Sequence, residues 1–359
     1  MNDLLRDRRF ARVLPASDAG RSPPNQAHLS DFSRTEAHSL LNLEPPEHTR
    51  LRSRVNHAFI AREIRALSPD IQDFARNCLN ELFPRGTADL LPHYATPIPA
   101  TIIARMIGVP DSRIDDLLAW SHAMVKVYTL TQTLEEEIIA NDAASAFTCY
   151  LVDLIAEKRR APAADLLSHL LLPCSETGSV LTDDELISIT ILLLNAGHEA
   201  TVHQTGNAIK TLLESDYKPL ELFATPELSA ATVTELLRFD APLHLFTRYA
   251  LEDVSIDDVQ LRAGEQIGLC LGAANRDPEH FADADLFNPY RKDGGQVSLG
   301  AGIHFCVGAQ LAKLELETAI PLVFSMLPNL SLAAPAAYRA SFHFHGLEQL
   351  KVQWQISSE

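Results

Sequence analysis

Ser298-Leu-Gly300-Ala-Gly302-Ile-His304-Phe-Cys306-Val-Gly308 is the stretch that decides the reading of this chain. Its glycines let the backbone turn tightly and run close to a flat neighbour. From Cys306 the pattern turns helical, and the spacing predicts a helix from Cys306 to about Met326. A cysteine at a helix entry meets free N–H groups and the positive end of the helix dipole, which favour a thiolate. A thiolate held on a Gly-rich loop is a good axial ligand for haem iron. The competing reading is a buried structural cysteine, a common place for a free thiol. A dinucleotide fingerprint fails, because Phe305 occupies the third glycine position after Gly300-x-Gly302.

Upstream of this loop, Asp277 to Phe305 has almost no periodicity, and loops of that length inside compact domains are usually functional. Thr247 to Leu271 alternates in short segments around Gly264 and predicts a small sheet. Elsewhere the period is helical: a short first helix, then Asp31–Leu41, His48–Phe59, Ile71–Leu82, Thr96–Ile107, Ser112–Val127, Leu134–Lys158, Asp183–Leu213 and Glu227–Phe239. The tail from Leu330 to Trp354 reads as hairpin strands. Asp183–Leu213 is the longest run; Thr182 is placed to cap it, and Ile189 to Ala196 is apolar nearly all round, which suits a helix through the protein centre. With no repeat and no strand–helix alternation, the fold class is mainly α with a minor β region.

The chain has 359 residues, 46% of them hydrophobic, long enough to bury a large core in a single domain spanning 1–359. Thirty Lys and Arg against 47 Asp and Glu give a net charge of -17, which argues against nonspecific nucleic-acid binding and against docking on an anionic membrane. The cysteines Cys78, Cys149, Cys174, Cys270 and Cys306 form no CxxC pair, which suits a reducing compartment. No run of 18 uncharged apolar residues and no secretory apolar core at the N-terminus are present, so a cytoplasmic protein is expected.

Three further motifs carry chemistry. In Asn195-Ala-Gly197-His198-Glu199-Ala-Thr201, a glycine inside a helix costs about 1 kcal/mol relative to alanine, so space is needed there. Thr201 can bond back to a carbonyl of the preceding turn, and the acid, hydroxyl and small-residue gap together suggest a proton relay beside a small ligand. The alternative is a packing glycine beside unrelated polar residues. A zinc motif built on His198-Glu199 fails, because His203 follows at five residues rather than four. Glu235-Leu-Leu-Arg238 has ion-pair spacing on one helix and is weak alone. His48 and Arg52 share a helix face suited to a carboxylate, or simply form a solvated basic face.

Together these motifs resemble those of the cytochrome P450 superfamily, closest to the soluble bacterial type. The stretches Ala274-Asn-Arg-Asp-Pro278 and Phe287-Asn-Pro-Tyr-Arg291 resemble the family's approach to its cysteine loop. The chain departs from the pattern in having Leu299 where an aromatic residue usually begins that loop. Leu4 to Phe10 resembles a segment that lies well inside family members, so the leading helix and strands are expected to be missing.

The resemblance implies the cytochrome P450 fold, a long central helix over haem b and the cysteine loop beneath. It implies Cys306 as the metal ligand, with Leu299, Gly300 and Gly308 around it. His48, Arg52, Arg248 and His304 match propionate contacts. Ala196 and Gly197 match the oxygen-side gap, and Glu199 and Thr201 the proton relay. Glu235, Arg238 and Arg291 match a structural network behind the loop. Leu193, Leu245, Phe246, Phe342 and Phe344 are apolar candidates for the substrate pocket, with His244, His343 and Asn195 as polar ones.

The implied activity is monooxygenation of an apolar or amphipathic small molecule with O2. Electrons from NAD(P)H would come through a reductase and an acidic ferredoxin, docked on a basic patch of Arg50, Arg54, Arg62 and Lys313. Peroxide-driven oxygenation and a non-catalytic haem-binding relic are the alternatives.

Overall fold

The computed structural model describes residues 1–14, 27–56, 59–128, 132–174, 177–341 and 344–356. In chain order the helices are α1 (Asn2–Arg6), α2 (Ser30–Glu36), α3 (Glu47–Asn56), α4 (Ala61–Ala66), α5 (Ser68–Leu82), α6 (Pro97–Ile107) and α7 (Ile114–Val125). They continue as α8 (Leu134–Arg160), α9 (Leu166–Leu170), α10 (Asp183–Glu214), α11 (Pro219–Leu222), α12 (Pro226–Phe239), α13 (Leu271–Ala274) and α14 (Ala309–Met326). The strands are β1 (Phe10–Ala11), β2 (Thr87–Asp89), β3 (Leu245–Ala250), β4 (Val254–Ile256), β5 (Val259–Leu261), β6 (Gln266–Cys270), β7 (Ser331–Leu332) and β8 (Lys351–Gln353).

Helix α10 organises the molecule. Thr182 accepts from the Glu185 N–H at 3.2 Å, and the Glu185 carboxylate accepts from the Thr182 N–H at 2.9 Å. This reciprocal cap satisfies donors that a helix start leaves orphaned. Every residue from Glu185 to Asn195 is buried, with α2, α6, α7, α8 and α14 packed around the helix. Their leucines and isoleucines, with Phe147 and Tyr94, make one continuous core.

Antiparallel β3 and β6 form the expected sheet, and Gly264 takes φ +84° at its turn. β1 joins this sheet, pairing Phe10 with Ala250. The tail strands β7 and β8 also pair, but β8 additionally takes β2 from 262 to 266 residues earlier, giving the order β2-β8-β7. No periodicity of the tail could announce that partner. The segment from Asn275 to Gly308 is loop apart from a single 3-10 turn, Gly302–His304. Helix α14 begins at Ala309 rather than at Cys306; Gly308 is its cap residue. Helix α2 ends at Glu36, short of Leu41, and the end of the expected helix His48–Phe59 includes residues outside the described set.

Helix α8 is long and apolar enough to span a membrane by length and composition. Its Ala140, Phe147, Leu151 and Leu154 are buried in the core, while Ile138, Ile139 and Val152 are exposed. One face of it is therefore a core helix face.

Candidate haem-thiolate site

The cysteine loop is fixed by its backbone. Gly300 and Gly302 both have φ +70°, a conformation that side chains resist. At Gly302 a Cβ would also lie 2.6 Å from the Leu5 carbonyl oxygen, so α1 packs directly on the loop. The Cys306 N–H donates to the Leu299 carbonyl at 2.9 Å. The Leu299 side chain packs away, into a cluster with Leu236, Leu316 and Ile320. Cys306 is half-buried. Burial pushes its thiol up, against the lowering effects of the Gly308 N–H and the Arg52 charge. The helix start alone therefore does not produce a thiolate, contrary to the sequence expectation; α14 begins too late. A coordinated metal would remove the proton outright.

Behind the loop lies a buried network. Glu235 and Arg238 form a two-pronged pair at 2.7 and 2.8 Å. The remaining Arg238 donors reach the carbonyls of Asn275 (2.7 Å), Ala284 (2.8 Å) and Leu286 (3.1 Å). Arg291 approaches the same Glu235 carboxylate at 3.3 Å, and the Asn288 N–H donates to it at 2.9 Å. Asn275, fully buried, carries the network to the loop. Its amide donates to Ser298 Oγ at 2.7 Å and its oxygen accepts from the Val297 N–H at 2.9 Å. Sequence reasoning placed Asn275 only in a motif and gave it no part in the site.

Beside the loop sits an unusual charge balance. His304 Nε2 lies 3.3 Å from Glu44, and its ring centroid is 4.5 Å from that of His48. His48 is buried, and neither of its ring nitrogens has a partner. Burial, with the His304 and Arg52 charges, lowers its pKa to about 4. Arg248 is buried with one bond, to the Thr247 carbonyl at 2.8 Å; burial and the Arg12 charge bring it down to about 10. Arg12 donates its backbone N–H to Glu44 at 2.7 Å and its side chain to the Leu41 carbonyl at 2.9 Å. Arg52 bonds the Phe305 carbonyl at 2.6 Å, tying α3 to the cysteine loop. Arg12, His48, Arg248 and His304 thus gather around Glu44, and Arg12 also faces Glu36. Arg12 was not anticipated; no spacing links it to a loop nearly 300 residues away.

On the opposite element, α10 changes character at its middle. Ala196 is exposed and Gly197 and Ala200 are half-exposed, within a helix otherwise buried from Glu185 to Ala208. Ala196 and Ala200 are one turn apart and share that face. Thr201 is buried, rotated about 100° from Ala200. The back-bond expected of Thr201 is instead made one helix stretch earlier by Thr190, whose hydroxyl donates to the Leu186 carbonyl at 2.7 Å. The structure therefore separates Thr201 from the Ala196 face. Gly197 is a packing glycine, since a Cβ there would lie 2.7 Å from Ile103 Cγ1.

Glu199 is buried among three histidines. Oε1 is 3.3 Å from His203 Nε2, and Oε2 is 3.5 Å from His122 Nε2 and 3.6 Å from His198 Nε2. Burial pushes its carboxyl up, but the His203 hydrogen bond and the surrounding histidine charges outweigh that and hold it at about 2. Helix spacing alone assigns His198 and His203 to different faces, yet both ring tips reach this carboxylate.

The substrate candidates divide. Leu193 lies in the main core. Leu245, Phe246 and Phe344 are half-buried, with Phe246 under Arg12 and Phe344 against His203. Phe342 and His343 lie outside the described residues. His244 stacks on His345, and Asn195 turns to Met124. The expected basic patch is also divided. Arg54 is buried, bonding the carbonyls of Ser179, Leu170 and Leu172, and Arg50 is paired with Glu47 and Glu185. Arg62 remains exposed and Lys313 half-exposed, on α4 and α14, which pack together.

Comparison with known proteins decides the family. Cytochrome P450 107B1 of Saccharopolyspora erythraea is 39% identical over 349 residues, 94% of this chain and 84% of that one. The chain belongs to the cytochrome P450 family. The family model for cytochrome P450 matches residues 222–331, which include the Glu235–Arg238 network and the cysteine loop. The vitamin D(3) 25-hydroxylase of Pseudonocardia autotrophica is 37% identical over 327 residues, 90% of this chain and 79% of that one. The crystal structure of P450BioI in complex with an acyl carrier protein ligated to hexadec-9Z-enoic acid superposes with a TM-score of 0.91. That match has 32% identity and covers 99% of this P450 and 90% of P450BioI. This P450 is therefore a haem-dependent monooxygenase, and the residues present fit the haem. The buried Arg12 and Arg248 guanidiniums, with both His48 nitrogens unpartnered, suit the carboxylates of a propionate pair.

Proposed function

We propose that this P450 hydroxylates an apolar or amphipathic small molecule in the cytoplasm, as a single domain, using haem b with Cys306 as the proximal thiolate. The observation that carries the reading is the basic cluster in which Arg12, His48 on α3 and Arg248 on β3 meet His304 of the loop that bears Cys306. Haem held there would supply oxygen activation, with thiolate donation favouring O–O cleavage. His48 and Arg248 hold the propionates, and His304 contributes while keeping its contact with Glu44. Arg52 acts by fixing the loop at Phe305. Leu245, Phe246 and Phe344 provide apolar walls for substrate and exclude water.

Hydroxylation sends one oxygen atom to the substrate and the other to water, so protons must enter the cleft. Glu199 is the group placed to pass them, because its carboxylate is ionised, buried and adjacent to the Ala196–Ala200 face. Replacing Glu199 with Gln keeps the shape and removes the proton acceptor. Product formation is expected to fall about 10²-fold with the haem spectrum unchanged, whereas Thr201→Val, off that face, should change it little. Equal turnover of Glu199→Gln and the parent enzyme would reject the relay.

Electrons come from NAD(P)H through a reductase and an acidic ferredoxin. Arg62 on α4 and Lys313 on α14, helices that pack together, are the docking charges. Reversing both to Glu should slow first-electron transfer from a ferredoxin and steepen no other step. Stopped-flow reduction that is unchanged at low salt would place the partner elsewhere.

A further inference from the structure

His122 on α7 and His198 and Glu199 on α10 bring their ligand atoms within 4.8 Å of one another. The tautomer of His198 is dictated by its contacts. Nδ1 lies 2.7 Å from the Leu194 carbonyl oxygen, which can only accept, so Nδ1 carries the proton. Nε2 then presents a lone pair. It is buried, has no hydrogen-bond partner and lies 3.6 Å from the carboxylate oxygen Oε2 of Glu199. Two buried lone pairs facing each other are unfavourable unless something positive lies between them.

The surroundings are those of a ligand set rather than of a simple ion pair. Glu199 Oε1 is held by His203, which leaves Oε2 free to bind. His203 itself cannot swing away, because the tail backbone at Gly346 is so close that a Cβ there would lie 2.0 Å from its Nδ1. The Leu194 carbonyl orients His198 in the way that backbone acceptors commonly orient metal-binding histidines. His122 closes the set from the solvent side, with its side chain 52% exposed and Nε2 3.5 Å from Oε2. Ligand atoms on a tetrahedral zinc ion lie about 3.3 Å apart, close to the 3.5 and 3.6 Å seen here. The pattern missing from the sequence, a second histidine four residues after the first, is thus replaced by a histidine from another helix.

We propose that His122, His198 and Glu199 bind one divalent transition-metal ion of the zinc class, with an open fourth position toward solvent. The site's consequence rests on the relay reading above: an ion on Glu199 takes away the carboxylate that passes protons, so zinc is an inhibitor that turns oxygen use toward peroxide.

The test uses the haem-loaded full chain, stripped with EDTA and titrated with zinc alone against a chromophoric chelator. The parent protein and His122→Ala are compared, since other histidines and exposed thiols contribute equally to both. The site predicts one zinc equivalent in the parent whose affinity falls about tenfold or more in His122→Ala. It also predicts that zinc raises the peroxide fraction of the parent during turnover, that EDTA reverses this, and that His122→Ala resists it. Superimposable zinc isotherms for the two proteins would overturn the site. A His122-dependent zinc equivalent without any change in turnover would uphold the site and overturn the relay.

Discussion

Glu235→Ala is expected to destabilise the protein by about 3–5 kcal/mol, the cost of leaving buried charge uncompensated. Its carboxylate is the shared counter-charge of Arg238 and Arg291, and the side chains of Glu235 and Arg238 are 4% and 2% exposed. All five Arg238 N–H donors are satisfied, two by Glu235 and three by the carbonyls of Asn275, Ala284 and Leu286. Removing the carboxylate leaves the buried Arg238 guanidinium without a partner charge, while Arg291 keeps only Asp293 at 3.1 Å. Glu235→Gln keeps some hydrogen bonding and should lose less. The damage passes through Asn275 and Ser298 to the start of the cysteine loop, so haem should also dissociate more readily. Urea unfolding of the haem-loaded variants measures this. A Glu235→Ala loss under about 1 kcal/mol, the range of an exposed pair, would show that the network is not buried as described.

The parts of this account that could be read from the sequence are local. The cysteine loop, the Glu235–Arg238 spacing and the central helix each lie within one continuous segment, where chain geometry alone sets what meets what. The face of α10 is a local feature that the sequence reading missed: it put Thr201 in the relay, whereas Ala200, one turn after Ala196, shares its exposure. What could not be read depends on tertiary contact. Arg12 reaches the haem-side cluster from just after β1, 294 residues before Cys306, Asn275 bridges two loops, and His122 meets Glu199 from another helix. Arg54 shows the converse failure. Its charge and its place one turn after Arg50 suggest a solvated face, yet its guanidinium is buried because backbone carbonyls around Leu170 and Ser179 need donors.

The central claim is that one sulfur, Cys306, holds the haem iron. The other thiols lie off the Gly-rich loop: Cys149 and Cys270 are exposed, Cys78 is within α5, and Cys174 is on the segment between α9 and α10. Serine at position 306 keeps the size of the side chain and removes the soft, electron-donating ligand. The basic cluster and the Gly-rich loop remain, so haem can still associate, but without thiolate ligation. A Cys306 thiolate on the haem would give the reduced carbonyl complex its red-shifted Soret band. The direct measurement is therefore the reduced carbonyl spectrum of the haem-loaded parent protein beside that of Cys306→Ser. The account predicts the red-shifted band in the parent and its complete loss in the variant; a parent that takes up haem without the band, or a variant that retains it, would contradict it.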